Sequence, residues 1–294
     1  MTFFIQMLVT GIVVGSIYGL VALGFVLIYR ASDALNLANG ELVLIGAYVS
    51  VTLITVYNVP LLLAILITMI INALIGLTIE RVVIRPLLTA PVISVIMATL
   101  GLSSLLGGVA QVIWGPKTIS FPKIFPDTPV QLGGVIITPV YLWSFIIVMG
   151  LLVLFTLFFK YSKMGIAMRA VADDQQAAMS MGINVKFIYA ITWAIASVVA
   201  AVGGFLLGNI GGVTPTMAMI GLTVLPVVIL GGLDSVLGAI VGGFIIGILQ
   251  SLAGGYLDPL VGGGLKEVVP FIIIVLILMV KPNGLFGKGG IERV

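Results

Sequence analysis

Residues 160–186 read KYSKMGIAMRAVADDQQAAMSMGINVK, and the rest of the chain is understood by contrast with them. They form the longest polar interruption in a chain that is otherwise almost continuously apolar. They carry Lys160, Lys163, Arg169, Asp173, Asp174 and Lys186, six of only 23 charged side chains. The middle of the stretch predicts a short helix, with Asp173 as N-cap, Gln176 three residues later as in a capping box, and Gly182 as the stop. Ala177, Ala178, Met179 and Met181 would give that helix a small, soft, partly apolar surface suited to docking another protein. A solvated loop with no partner fits the same residues equally well.

Working outward, the chain has 294 residues, 61% of them hydrophobic and 8% charged. Soluble domains carry roughly 25% charged residues, so this is an integral membrane protein. The apolar runs are long and do not alternate, which excludes an outer-membrane barrel and predicts an all-α integral membrane protein. We expect a polytopic helical bundle of about 8–9 transmembrane helices forming a single transmembrane domain over 1–294. There are no cysteines and no histidines, so disulfides, thiolate chemistry and imidazole metal sites are excluded. A net charge of +3 is ordinary for a protein with basic cytoplasmic loops and gives no reason to expect nucleic acid. The N-terminus, MTFFIQML, lacks a basic leader region, and the apolar run behind it is too long for a signal-peptide core; it predicts an uncleaved helix.

The first span is expected at about 4–29, with Gly11, Gly15 and Gly19 on one face where another helix can approach closely. Residues 31–40, ASDALNLANG, are polar for their position, and the apolar run behind them, 41–57, is only 17 residues and opens with Glu41. A straight span needs about 20 residues, so a re-entrant segment near 31–40 is expected. Irregular backbone at that depth survives only where protein or a water-filled cavity covers it. Asn36, Asn39 and Glu41 are therefore candidates for a lined pathway; an interfacial cap, with Asn39 as N-cap and Glu41 favouring the helix dipole, is the alternative. Further spans are expected at about 59–79 with Asn72 inside, 91–114 with Thr99, Ser103 and Ser104 inside, 135–159, 187–208, a short broken one at 217–232 containing Pro226, 235–254, and 267–281. Asn72 is expected to bond a neighbouring helix. Residues 115–134 form a proline-rich loop, and Gly238/Gly242 and Gly243/Gly247 are close-packing pairs.

Placing the N-terminus outside and counting nine spans puts ten of the 13 Lys and Arg residues in the cytoplasm and leaves Lys117, Lys123 and Lys266 outside. The C-terminus and residues 160–186 are then cytoplasmic. Asn39-Gly40-Glu41 with Gly46-Ala47 echoes Asp234-Ser235 with Gly238-Ala239, each beside a short or interrupted segment, as paired halves around a central transport site would be. Catalytic motifs are missing. There is no GxxxxGK[ST], no histidine for a Ser–His–Asp triad, and the acids near the membrane (Asp33, Glu41, Asp234, Glu267) show no pairing by spacing. Ionisable residues sit near span ends, so a self-powered proton-coupled carrier is not visible. A self-standing channel, a carrier without ATP, or an intramembrane enzyme stays open on the residues alone.

Three stretches carry a family resemblance: Tyr18 to Phe25 (YGLVALGF) with Leu35 to Glu41 (LNLANGE) and Gly46-Ala47-Tyr48; Gly165 to Asp173 (GIAMRAVAD) with Met181-Gly182-Ile183; and Lys281 to Gly287 (KPNGLFG). Together they resemble the permease subunits of branched-chain amino acid ABC transporters, of the LivH type. Asn39 departs from the pattern, since many relatives carry His there, and the difference bears either on the solute or on capping. The resemblance implies a non-catalytic inner-membrane permease that binds no cofactor. Its partners would be a second, LivM-like permease, two cytoplasmic ATPases that hydrolyse ATP, and an external solute-binding protein. The solute would be a branched-chain or related amino acid, or another small polar molecule such as urea, an amide or an aromatic acid. The family's coupling helix maps to about Arg169–Gly182, which assigns Arg169, Asp173, Asp174, Gln175, Gln176, Met179, Met181 and Gly182 to ATPase coupling. Asn36, Asn39, Glu41, Asn72, Thr99, Ser103 and Pro226 are the expected translocation path.

Overall fold

The computed structural model describes residues 2–287 apart from 33, 89, 123, 125–127 and 133–134. Asp33, Lys123, Lys288 and Arg293, which entered the acid and charge-bias readings, lie outside the described residues.

The architecture follows from which glycines find a neighbour's backbone. Helix α1 (Thr2–Ser32) is the centre, with 83% of its apolar window buried. Its Gly11/Gly15/Gly19 face lies against α10 (Val236–Leu252), where a Cβ on Gly15 would stand 2.6 Å from the Gly243 carbonyl oxygen. Neither surface carries side-chain bulk there, so the two backbones touch, as small-residue stripes allow in lipid. The glycine pairs of α10 serve two neighbours. Gly243 and Gly247 meet α1, while Gly238 and Gly242, one residue round the helix, meet α9 (Ile220–Gly231). Helix α8 (Val185–Gly211) closes the core, packing on α1 (Gly24 against Ala196), α2 (Asn39–Thr55) and α3 (Leu61–Ile79). Trp193, Tyr48 and Phe25 are the largest side chains fully inside it.

The periphery is the opposite. Helix α4 (Val92–Trp114) has 6% of its window buried and α5 (Pro139–Tyr161) 22%, and both present Leu, Ile and Val outward, as lipid-facing helices do. Six helices among the described residues are long and apolar enough to cross a membrane: 2–32, 61–87, 92–114, 139–161, 185–211 and 236–261. The difference from the eight or nine expected lies in three shorter segments: α2, the stretch 215–231, and the 16-residue helix Leu265–Val280.

Two expectations need correction. The third span does not stop at 79: it continues through a π-turn (Glu80–Ile84) and a 3-10 turn (Arg85–Leu87), where the bidentate Glu80–Arg85 pair sits. The fifth starts at Pro139 rather than 135, because Val130–Leu132 and Val135–Ile137 pair as a short antiparallel hairpin, β1–β2. The loop before the hairpin is tied down, with Ile119 bridging Val213 and Phe121 set edge-on to Phe205. The basic tail is docked: Leu285 and Phe286 donate their backbone N–H groups to Leu230 and Gly231 O, satisfying carbonyls that the end of α9 would otherwise leave open.

Candidate translocation and coupling sites

Residues 160–186 fold as two helices at one end of the bundle. Helix α6 (Lys163–Asp173) is capped by Ser162, whose hydroxyl accepts from Gly165 N; α7 (Gln175–Ser180) is capped by Asp174, whose Oδ1 accepts from Gln176 N and Ala177 N, both at 2.9 Å. The cap is thus Asp174 and not Asp173. The shift of one residue moves Gln176 to the second helical position, where a reciprocal capping box cannot form. Gly182 ends α7 as expected, with φ +84°. Met168, Val171 and Ala178 pack on Leu27 and Ala31 of α1, Phe159 of α5 and Ile188 and Tyr189 of α8. The pair of helices is therefore rooted in the ends of three long helices, while Met179 and Met181 stay exposed beyond them.

Arg169 has a local duty that spacing does not reveal. Its guanidinium donates to Phe159 O at 2.7 Å and Lys160 O at 3.3 Å, closing the C-terminal carbonyls of α5. Asp173 faces Arg30 at 3.9 Å and is largely exposed, so the pair contributes little, about 0–1 kcal/mol. Arg85 also donates toward Lys186 O at 3.4 Å. Between Arg30, Ala34, Ile84, Val95, Asp173 and Tyr189 lies a cavity of about 350 Å³.

The residues that follow Ala34 and Val95 along the chain include the polar groups expected on a path. Residues 34–36 have no regular structure and 37–38 form a turn, yet Asn36, Ala38 and Asn39 are fully buried. Asn36 Oδ1 accepts from Ala38 N, which leaves its Nδ2 orphaned at the start of α2. Asn39 does not cap α2. It is the first helical residue, and its Nδ2 reaches Val21 O on α1 at 3.5 Å while Oδ1 has no partner. Glu41 does lie in the first turn, but points across to α4, where Ser103 Oγ donates to Oε1 at 2.6 Å. Its Oε2 is buried without a partner. The helix terminus stabilises an anion by about 0.3–1 kcal/mol, whereas leaving one buried polar atom without a partner costs about 1–3 kcal/mol, and more on a charged group. Capping alone does not account for Glu41.

Thr99 donates from α4 to the Leu35 carbonyl at 3.0 Å, Trp114 Nε1 donates to Thr52 Oγ1 at 2.7 Å, and the Trp114 ring stacks on Tyr48 at 5.0 Å. These contacts make a polar and aromatic seam between α2 and α4 that includes Glu41, Thr99 and Ser103. Tyr48 and Trp114 were missed by the sequence reading; both fall on helical spacing with Glu41 and Ser103 on their own helices, and that was the available signal. Asn39 and Glu41 diverge, because two residues on a helix are about 200° apart. Asn72 is elsewhere: it sits fully buried on α3 and donates to Thr68 O of its own helix, not to a neighbour. Pro226 is buried inside α9, one turn past Gly221, and Gly221 packs against the Gly40 backbone. The starts of two short helices, one preceded by irregular chain and the other by a 3-10 turn (Pro215–Met219), therefore meet at Gly40 and Gly221.

Comparison with known proteins places this geometry. The family described as branched-chain amino acid transport system / permease component matches residues 7–278. The high-affinity branched-chain amino acid transport system permease protein LivH of Escherichia coli (strain K12) is 32% identical over 306 residues, covering 99% of this chain and 98% of that protein. The permease protein BraD of Pseudomonas aeruginosa is 32% identical over 307 residues, with the same coverage. The solved structure of PsaBC from Streptococcus pneumoniae in complex with Fab has the same fold at 16% identity, with a TM-score of 0.50 and 94% of this chain and 91% of that chain covered. The chain is a multi-pass, non-catalytic membrane permease and belongs to the permease family of branched-chain amino acid ABC transport systems.

Proposed function

We propose that the chain is one permease of an ATP-driven importer for branched-chain or related amino acids, and that its single transmembrane domain lines the solute path along the α2–α4 seam. The observation that carries the coupling half of this reading is the α6–α7 pair. Its inner face is locked to α1, α5 and α8, and its outer face offers Met179, Met181, Gln175 and Gln176. A cytoplasmic ATPase seated there moves three helix ends together, provided it binds two permease states with different affinity. Arg30, Arg85, Arg169 and Lys186 gather at this end through their contacts, which supports placing it in the cytoplasm with the N-terminus outside.

On this reading the inward cavity is the cytoplasmic mouth, and the Thr99–Leu35 hydrogen bond with the Glu41–Ser103 contact closes it above. Residues 34–40 re-enter the membrane, and Gly40 meets the start of α9, the arrangement of broken helices around a central site. The second permease subunit seats on α4, where Gly101 and Gly108 face open space. An external binding protein delivers the solute, and ATP is hydrolysed by two partner subunits.

The test is mild-detergent purification of the tagged chain from its native membrane, with partners identified by mass spectrometry, followed by reconstitution. Recovery of a second permease and an ATPase, with leucine uptake that requires ATP, supports the assignment. Recovery of the chain alone, with leucine flux in liposomes lacking ATP, overturns it.

A further inference from the structure

Glu41 crosses from α2 to α4 where no Lys or Arg meets it. Its Oε1 accepts a hydrogen bond from Ser103 Oγ at 2.6 Å. The ion pairs Arg30–Asp173 and Glu80–Arg85 do not include Glu41. Oε2 is buried and unpartnered, and it is not alone. The Tyr48 hydroxyl, seven residues on along the same face of α2, and Asn36 Nδ2, at the helix start, are fully buried and equally without partners. Native proteins satisfy buried polar groups, so orphans strung from the start of α2 to its middle call for a ligand. What the carboxylate lacks is a cation that can donate hydrogen bonds.

A hard metal ion fits poorly. It needs six or more oxygens, or strict octahedral geometry, and the described residues contain no group of three acidic or imidazole ligands. An alkylammonium fits better: one charged acceptor takes it, and the stacked Tyr48–Trp114 rings lie further along the same seam, Tyr48 two turns on from Glu41, where they line the way for an aliphatic chain. Resting on the reading of the α2–α4 seam as the solute path, we propose that Glu41 Oε2 is the seat of the solute's primary ammonium group.

The chain has no cysteine, so a single reporter thiol is unambiguous. Gly107→Cys places one on α4 beside the site without touching the Ser103 contact, because a Cβ there would stand 4.0 Å from Glu41 Cγ and near nothing else. The thiol-labelling rate is measured in the assembled transporter with L-leucine, with isopentylamine (leucine's chain and amine without the carboxylate) and with 4-methylpentanoate (the same chain without the amine). The expected result is that leucine and isopentylamine protect the thiol, 4-methylpentanoate does not, and Glu41→Gln raises the isopentylamine concentration for half-protection at least tenfold. Glu41→Asp, which keeps the charge, retains weaker protection, and recovery of each variant with its partner subunits shows that it has folded. Equal protection by leucine and 4-methylpentanoate, unchanged in Glu41→Gln, overturns the ammonium seat but leaves the path reading standing. Absence of protection by any of the three sinks the path reading itself.

Discussion

The contact between α1 and α10 makes a quantitative prediction for Gly15→Ala. The added Cβ would stand 2.6 Å from Gly243 O and 3.1 Å from Phe244 Cα. Ordinary carbon–oxygen contacts begin at about 3.3 Å, so the helices must separate by roughly 0.7 Å. Both obstructing atoms are backbone, and no rotamer change relieves them. A radial gap of about 0.5–1 Å forfeits a quarter to a half of each dispersion contact, and overpacking of this kind costs about 1–3 kcal/mol. We expect the upper half of that range, because α1 is the most buried helix of the chain. On globular scaling this lowers the melting temperature by about 4–10 °C.

Gly101→Ala is the matched control: nothing lies within 4 Å of a Cβ at that position, so it keeps the parent's melting temperature or gains slightly from helix propensity. The assay is a thermal melt of the purified, detergent-solubilised chain at fixed concentration and scan rate, since membrane proteins unfold irreversibly. A Gly15→Ala melt within about 1 °C of the parent, or an equal drop in both variants, would refute the argument that backbone contact at this crossing holds the bundle.

Other outcomes follow from the same geometry. Gly101→Leu leaves the isolated chain's melt unchanged but weakens recovery of the second permease in pull-down; if recovery is normal, the partner seats elsewhere. Asp174→Ala removes the α7 cap, worth about 1 kcal/mol, and lowers ATP-dependent uptake severalfold with normal membrane insertion, whereas Asp173→Ala has little effect. The reverse ranking would return the cap to Asp173. Arg85→Ala strands the Glu80 carboxylate, 1% exposed, and costs about 3–5 kcal/mol; Glu80→Gln costs less because the half-exposed Arg85 can turn to water, and melts of the two variants decide. Truncation after Lys281 removes the backbone bonds to Leu230 and Gly231 and lowers both the melt and uptake, which a fully active truncated chain would contradict.

Much of the candidate site was legible in residue type. Buried polar residues in an apolar chain announce themselves, and Glu41, Thr99 and Ser103 do converge. Asn72 was misjudged because an amide inside a helix bonds its own preceding turn as readily as a neighbour, and spacing cannot choose. Arg169 was assigned to ATPase coupling, and nothing in the residue pattern showed that its guanidinium also closes α5. A guanidinium's reach depends on how two helices fold back at Ser162, which is a matter of angle and not of pattern.

The sequence by itself determined that the chain is a helical membrane protein, where most of its spans begin and end, which glycine faces pack, and that residues 160–186 stand apart. Those conclusions rest on hydrophobic length, helical period and turn chemistry, all local properties. Only the tertiary structure decided which partner each glycine face meets, that the starts of α2 and α9 touch, and that the tail seals α9. It also showed that Glu41 faces α4 while Asn39 faces α1. These depend on long-range packing, where a rotation of one residue, about 100° on a helix, exchanges one neighbour for another without altering the hydrophobic pattern.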